Sequence, residues 1–320
     1  GEGQTGTVDG AVTNLGDEML NWEFTGPVSG PLNLFNGPLI TNAGAGAGGA
    51  DVSALQTALG MSSYGSGHSL ASGYRVADDF TIPAGVSWTI SQAVFYAYQT
   101  GSTTTSTINH VNFRIWDGDP SLPTSTIVFG DTTTNRFESS VWSNIYRTLD
   151  TDIATATTRP IMATTATAGV TLTEGTYWID WQEGGTLASG PWAPAVTIVG
   201  QTTTGNALQG DGTAWAPITD GGTLTNQGMP FSLIGTADFG ANCDDPESIS
   251  WLTVDPLFGE LADDASANVL YSFDATALTA GVYTANLCVA SNDAANPLVT
   301  VPVQLTVIPF SKIHLPLILK

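Results

Sequence analysis

Val111-Asn112-Phe113-Arg114-Ile115-Trp116 alternates apolar and polar residues, then stops at Asp117-Gly118-Asp119-Pro120. Period-two alternation places one set of side chains on each face of a strand, and Asp, Gly and Pro together make a turn. The same grammar repeats outward. Thr81-Ile82-Pro83-Ala84-Gly85 is a turn, and Ser87 to Tyr98 alternates after it, with Trp88, Ile90, Val94, Tyr96 and Tyr98 as one face. Glu174-Gly175 leads into Thr176-Tyr177-Trp178-Ile179-Asp180-Trp181. From about residue 74 to 235 the chain is a run of short strands between Gly, Pro, Asn and Asp. That spacing predicts an all-β protein whose larger part is a β-sandwich, jelly-roll-like in character.

One segment reads differently. Asp51-Val52-Ser53-Ala54-Leu55-Gln56-Thr57-Ala58-Leu59-Gly60 follows a Gly-Ala stretch, residues 43–50. Asp51 suits an N-cap, residues 52, 55, 58 and 59 are apolar, and Gly60 suits a stop, so a helix is expected over 51–60.

Composition narrows the setting. The 320 residues are 42% hydrophobic and 11% charged, with a formal net charge of −22. Abundant Thr, Val, Gly and aromatic residues favour strands, and such low charge excludes a disordered polyelectrolyte. Outside Lys312 and Lys320, five arginines face 29 acids. Nucleic acid is therefore excluded as a partner class, since phosphate binding needs clustered Lys and Arg. An anionic membrane surface is disfavoured for the same reason. No apolar run approaches 18 residues, so no membrane span is expected. Gly1 in place of Met reads as a processed start, and the composition reads as secreted, hence extracellular or cell-surface. Cys243 and Cys288 stand 45 residues apart in strand-like sequence, as a disulfide or as two buried thiols.

The C-terminal part carries its own pattern. Trp251, Leu252, Val254 and Pro256 come first, then Gly281, Tyr283, Leu287, Val289, Ser291, Asn292 and Asp293. Val301, Pro302, Val303, Leu305 and Val307 close it. These residues resemble the small immunoglobulin-like modules of secreted bacterial proteins, with signature W-L-x-V-x-P, G-x-Y-x-x-x-L-x-V-x-S-N-D and V-P-V-x-L-x-V. The resemblance implies a fold, not a function. Such modules also contain a stretch like T-N-x-G-x-x-x-L-x-W ahead of the W-L-x-V block. Here it stands at the other end of the chain, in Val12-Thr13-Asn14-Leu15-Gly16 through Leu20-Asn21-Trp22-Glu23-Phe24.

The resemblance thus implies an immunoglobulin-like sandwich, residues 1–25 plus 237–309, split by an inserted larger jelly-roll-like β-sandwich at 26–236. Residues 310–320 follow as a C-terminal strand tail. The competing reading makes 1–25 an edge hairpin on the larger domain. Within 74–235, Val76-Ala77-Asp78-Asp79-Phe80-Thr81-Ile82-Pro83, Arg114-Ile115-Trp116-Asp117-Gly118 and Gly190-Pro191-Trp192-Ala193-Pro194 resemble a β-rich domain found in secreted bacterial proteins, beside proteases or surface modules. That resemblance implies no activity.

Chemistry-bearing motifs are few. His68, His110 and His314 have no partners at metal spacing. No G-x-S-x-G elbow occurs, so a hydrolase triad has no support. The pairs Asp78/Asp79, Asp117/Asp119, Asp244/Asp245 and Asp263/Asp264 offer carboxylates, but nothing selects one as a glycosidase pair. Adjacent strand residues point apart, which argues against Asp78/Asp79 acting together. Asp117 and Asp119 read as turn caps or as oxygens for Ca²⁺. No catalytic, cofactor or metal residues are assigned, and an enzyme is not expected. Nine tryptophans invite carbohydrate stacking, against the default of burial. Trp178 and Trp181, three apart, face opposite sides of a regular strand.

The tail, Phe310-Ser311-Lys312-Ile313-His314-Leu315-Pro316-Leu317-Ile318-Leu319-Lys320, is an apolar strand with two lysines. The immunoglobulin-like modules begin with a strand ahead of T-N-x-G, about where this chain starts. A missing first strand and a spare last one fit donor-strand complementation between identical subunits. Ile313, Leu315, Leu317 and Leu319 recur at spacing two and form the expected subunit interface. Pro316 lacks an N–H, so pairing near it uses one edge only. The expected function is a structural subunit of an extracellular filament. The alternative is a secreted carbohydrate-binding or adhesive module whose tail is a sorting or anchoring signal, with polysaccharide as partner.

Overall fold

Strands dominate the computed structural model, which describes residues 5–15, 19–25, 29–238, 243–293, 296 and 298–308. The protein is all-β, and the helical turns among the described residues are short 3₁₀ pieces. By contact the chain divides into two units, residues 1–30 with 238–320, and residues 31–237. The sequence set these cuts at 25/26 and 236/237. By contact they fall at 30/31 and 237/238, inside β3 (Ser29–Phe35) and β16 (Phe231–Asp238).

Unit 1 begins with β1 (Thr5–Thr13) and β2 (Leu20–Thr25). Its later strands are β17 (Leu252–Asp255), β18 (Phe258–Leu261), β19 (Ser266–Asp274), β20 (Gly281–Ser291) and β21 (Leu298–Val307). They form two sheets, in orders β1-β19-β17 and β18-β2-β20-β21. β1 pairs antiparallel with β19 from Thr5↔Asp274 to Thr13↔Ser266. β2 lies between β18 and β20, with Phe258↔Glu23 on one side and Trp22↔Ser291 on the other. β1 and β2 therefore pair with strands more than 230 positions later, rather than forming a hairpin on the larger unit. Trp22 and Leu287 from one sheet meet Val254 and Val269 from the other in a single core. The Asn14 side-chain amide donates to the carbonyls of Leu261 and Ala262, both at 3.1 Å. This buried amide ties the turn after β1 to the end of β18.

Unit 2 contains, after β3, the strands β4 (Asp51–Leu55), β5 (Ser66–Gly67), β6 (Arg75–Ile82) and β7 (Ser87–Ala97). β8 (Ile108–Trp116), β9 (Ile127–Gly130), β10 (Phe137–Leu149) and β11 (Pro160–Leu172) follow. β12 (Gly175–Gly185), β13 (Trp192–Ala193), β14 (Leu208–Gly210) and β15 (Trp215–Pro217) precede β16. Two six-stranded sheets result, β3-β16-β7-β11-β10-β4 and β15-β14-β6-β12-β8-β9, and β13 pairs separately with β5. Rings from the two sheets interlock. Phe95 of β7 stacks on Trp181 of β12 at 4.9 Å, and Phe80 of β6 meets Trp88 of β7 at 5.9 Å and Phe231 of β16 at 6.2 Å. Such contacts define two sheets packed face to face.

The helix expected over 51–60 is a strand followed by one 3₁₀ turn. Asp51–Leu55 pairs in parallel with Ile145–Leu149 of β10, and only Thr57–Leu59 is helical. Val52, Ser53, Ala54 and Leu55 are all buried, so both faces of the segment are covered. Full burial removes the polar face on which alternation is recognised, and leaves a spacing that mimics a helix. Gly60 does stop the turn, in the left-handed conformation at φ 87°.

β7 holds a second difference. Trp88 and Ile90 are buried as expected, but the inward set then becomes Ala93, Phe95 and Ala97. A register shift lies across this point, between Thr167 and Val170 of β11. The extra residue of that shift lies in β11, and within β7 the change of face falls at two successive polar residues, Ser91 and Gln92.

Candidate functional site

Unit 1 has an open side. Only Pro256 and Leu257 link β17, an edge of one sheet, to β18, an edge of the other. Those edges must lie on the same side of the two-sheet stack, which places β1 and β21 on the opposite side. Among the described residues no strand pairs with the outer edge of either. Gly6, Val8, Gly10 and Val12 share the inward face of β1. Val12 packs on the core, but Val8 is 58% exposed. On β21, Val301, Val303 and Leu305 touch the same core and remain half-buried. Apolar inward-facing residues on both edges are thus incompletely covered.

A disulfide reinforces the neighbouring strand. Cys243 and Cys288 are bonded, with Cα atoms 5.5 Å apart, and both are buried. Beside it the Asp244 amide donates to the Asn286 carbonyl, and the Asn286 amide donates to the Asp244 carboxylate, both at 2.8 Å. The segment before β17 is thereby stitched to β20. The expected interface residues Ile313, Leu315, Leu317 and Leu319 lie outside the described residues, as does His314.

Two recesses of unit 2 are lined by tryptophan. The larger, about 1070 Å³, lies over the Gly-Ser loops around β5. Tyr74, His110, Trp192 and Gln209 line it. Trp192 is held by its indole N–H donating to Ser189 at 3.2 Å and by backbone pairing with Tyr98. Tyr74 is 42% exposed. The other recess, about 360 Å³, opens on the outward face of the β15-β14-β6-β12-β8-β9 sheet. Arg75, Arg114, Trp116, Gln182 and Trp215 line it.

No protein-family model matches this chain, and no curated protein or solved structure matches it either. Its chemistry must be judged from its own residues.

The histidines divide. His68 is fully buried, its Nε2 2.7 Å from the equally buried Glu183 carboxylate, so it faces no recess. His110 borders the large recess; among the described residues its Nε2 finds no hydrogen-bond partner, and burial pulls its pKa down. Among the described residues no three His, Cys, Asp or Glu side chains gather to hold a metal ion. Members of three of the four acid pairs serve turns and the core. Asp117 accepts from the Thr126 amide and hydroxyl, both at 2.6 Å, and Asp119 from the Ser121 amide at 2.7 Å. Asp245 caps the 3₁₀ turn at Pro246–Ser248. Asp78 is buried, and accepts from the Met229 amide at 2.7 Å. No helix among the described residues is long and apolar enough to cross a membrane.

The tryptophans also separate by face. Trp181 lies between the sheets, while Trp178 packs outward with Ala77, Leu208, Trp116 and Trp215. Composition gave no sign of the polar cluster beside them. Asp180 of β12 is paired in register with Arg114 of β8, and Arg75 reaches it from β6.

Proposed function

We propose that this protein is a structural subunit of an extracellular filament or surface assembly. Unit 1 is an immunoglobulin-like sandwich whose β1 edge has no partner among the described residues, and unit 2 is a jelly-roll-like sandwich inserted in it. Residues 310–320 of one subunit pair with the free edge of β1 in the next. Ile313, Leu315, Leu317 and Leu319 then cover the inward-facing residues left open on that side. The observation that carries this reading is the exposure of Val8 on the core-facing side of an unpaired edge strand.

A donated strand supplies the hydrogen bonds that a bare edge lacks. The contact is head-to-tail and does not close on itself, so it propagates as a fibre. Burying four aliphatic side chains contributes on the order of 6–12 kcal/mol before ordering costs. The Cys243–Cys288 disulfide supports an oxidising, extracellular setting. The test is assembly of the full chain against a chain ending at residue 309, viewed by negative-stain microscopy. Polymers from the shortened chain would remove the tail from the mechanism.

A second reading is favoured by the recess between Tyr74 and Trp192. Aromatic faces above a polar floor suit a sugar ring, which makes unit 2 a carbohydrate-binding module and the tail an anchoring signal. Affinity electrophoresis through neutral polysaccharides tests it, and unretarded migration in all of them counts against it.

A further inference from the structure

The smaller recess of unit 2 is built differently from the larger one, and its charge is unusual for so acidic a protein. Period-two placement puts Trp178, Asp180 and Gln182 of β12 on the outward face, with Trp116, Arg114 and Asn112 opposite them on β8. Arg75 joins from β6. Two guanidinium groups therefore meet one carboxylate.

That carboxylate is fully occupied. Asp180 Oδ1 accepts from Arg75 Nε, and Oδ2 accepts from Arg114 Nε at 2.8 Å and from the Trp116 indole at 2.5 Å. Arg75 is occupied as well, donating from Nη1 to Asn112 at 2.5 Å and to Gln182 at 3.2 Å. Arg114 is not. Its Nε is engaged, but its two terminal NH₂ groups donate to nothing among the described residues, and its side chain is 16% exposed. Its guanidinium carbon lies 4.8 Å from the centre of the Trp116 ring, which supports the group. Asp117, Asp131 and Asp211, in the flanking loops, make no hydrogen bond or ion pair with it among the described residues. They turn their oxygens onto Thr126, Thr133–Thr134 and Thr213 in their own loops.

We propose that this recess binds the carboxylate of an acidic sugar, a hexuronate unit of an anionic glycan. A held guanidinium presents two parallel donors that match a carboxylate. Within the cluster two guanidinium groups face one carboxylate, and that surplus of one positive charge suits a monoanion better than a phosphate dianion. Trp116 and Trp215 supply ring faces for the apolar side of the sugar, and about 360 Å³ accommodates a unit of that size. The site is separate from strand donation, and it adds an anionic sugar to the glycan reading at a place distinct from the Tyr74–Trp192 recess.

The test is calorimetric titration of the full chain with oligogalacturonate, its methyl ester and inorganic sulfate. Oligogalacturonate binds, and the methyl ester binds at least about tenfold more weakly because the fork loses its anion. Arg114→Lys keeps the charge but loses the fork, and weakens oligogalacturonate by about tenfold or more. Trp215→Ala, on the edge strand β15 and away from Asp180, weakens it too, and an unchanged melting temperature shows that the variant is folded. Equal binding of acid and ester would overturn carboxylate recognition while leaving the neutral-glycan reading intact. Sulfate binding as tight as the oligosaccharide would reduce the site to an ion site only and overturn the sugar assignment. No binding of oligogalacturonate, or binding untouched by both variants, would overturn the proposal outright.

Discussion

Val8 and Val12 share one face of β1, and only Val12 packs against the core of unit 1. Val8 stays 58% exposed although its cross-strand partner Tyr271 packs against that core. If a donated strand completes that face, Val8 becomes an interface residue. Val8→Lys is expected to raise the critical concentration for assembly at least about tenfold, since a buried unpaired charge is costly. The monomer should change by no more than about 0.5 kcal/mol, as for most exposed positions. Leu315→Asp and Leu317→Asp should act alike from the donor side. Sedimentation of assembled material measures all three, and unchanged assembly in all three would contradict the assignment of both partners.

Cys243 and Cys288 close a 45-residue loop around most of the later strands of unit 1. Replacing both with Ser should destabilise unit 1 by about 2–4 kcal/mol through the freed loop. Urea unfolding followed by a probe in unit 1 measures this. A midpoint indistinguishable from the native chain would show that packing around Trp22 and Leu287 suffices without the bond.

Asp78 gives stability a pH dependence. Burial pushes its carboxyl up to about 7, against the amide donations from Met229 and Asp79 that favour the charged form. An unfolded Asp titrates near about 4. Between those values the folded chain keeps a proton that the unfolded chain has lost, so stability falls as pH rises through that window. The group contributes nothing to the slope below about 4, and up to about 1.4 kcal/mol per pH unit within the window. Asp78→Asn should flatten the stability profile from about pH 4 to 7. Parallel profiles for the two proteins would show that Asp78 ionises freely in the fold.

His68 and Glu183 form a fully buried pair at 2.7 Å, and the other Glu183 oxygen already lacks a partner. His68→Ala would strand that carboxyl inside unit 2, at a cost of about 3–5 kcal/mol. His68→Gln, which can still donate, should cost less. Chemical denaturation resolves the order, and equal losses would point to shape rather than hydrogen bonding.

Strands whose outward face is polar were readable directly. Val111 to Trp116 alternates because β8 buries one face against Phe95 and carries Arg114 on the other. The opposite-face placement of Trp178 and Trp181 followed from their spacing alone. Residues 51–55 were misread because β4 is covered on both sides, which erases alternation. β7 departs from the expected face past Ile90, where two successive polar residues, Ser91 and Gln92, precede the inward set Ala93, Phe95 and Ala97. The Arg75–Asp180–Arg114 cluster was invisible for a different reason. It is assembled by the register of three strands whose residues lie 105 and 66 positions apart. The resemblance of residues 12–24 to a module hairpin carried the expectation of an open edge; β1 pairs with β19, and among the described residues no strand pairs with its other edge.

The most direct test compares the full chain with a chain ending at residue 309, by negative-stain microscopy at matched concentration. The account predicts fibres from the full chain, separate particles from the shortened one, and capping of growing fibres by added peptide 310–320. Fibres of the same form from the shortened chain would contradict it.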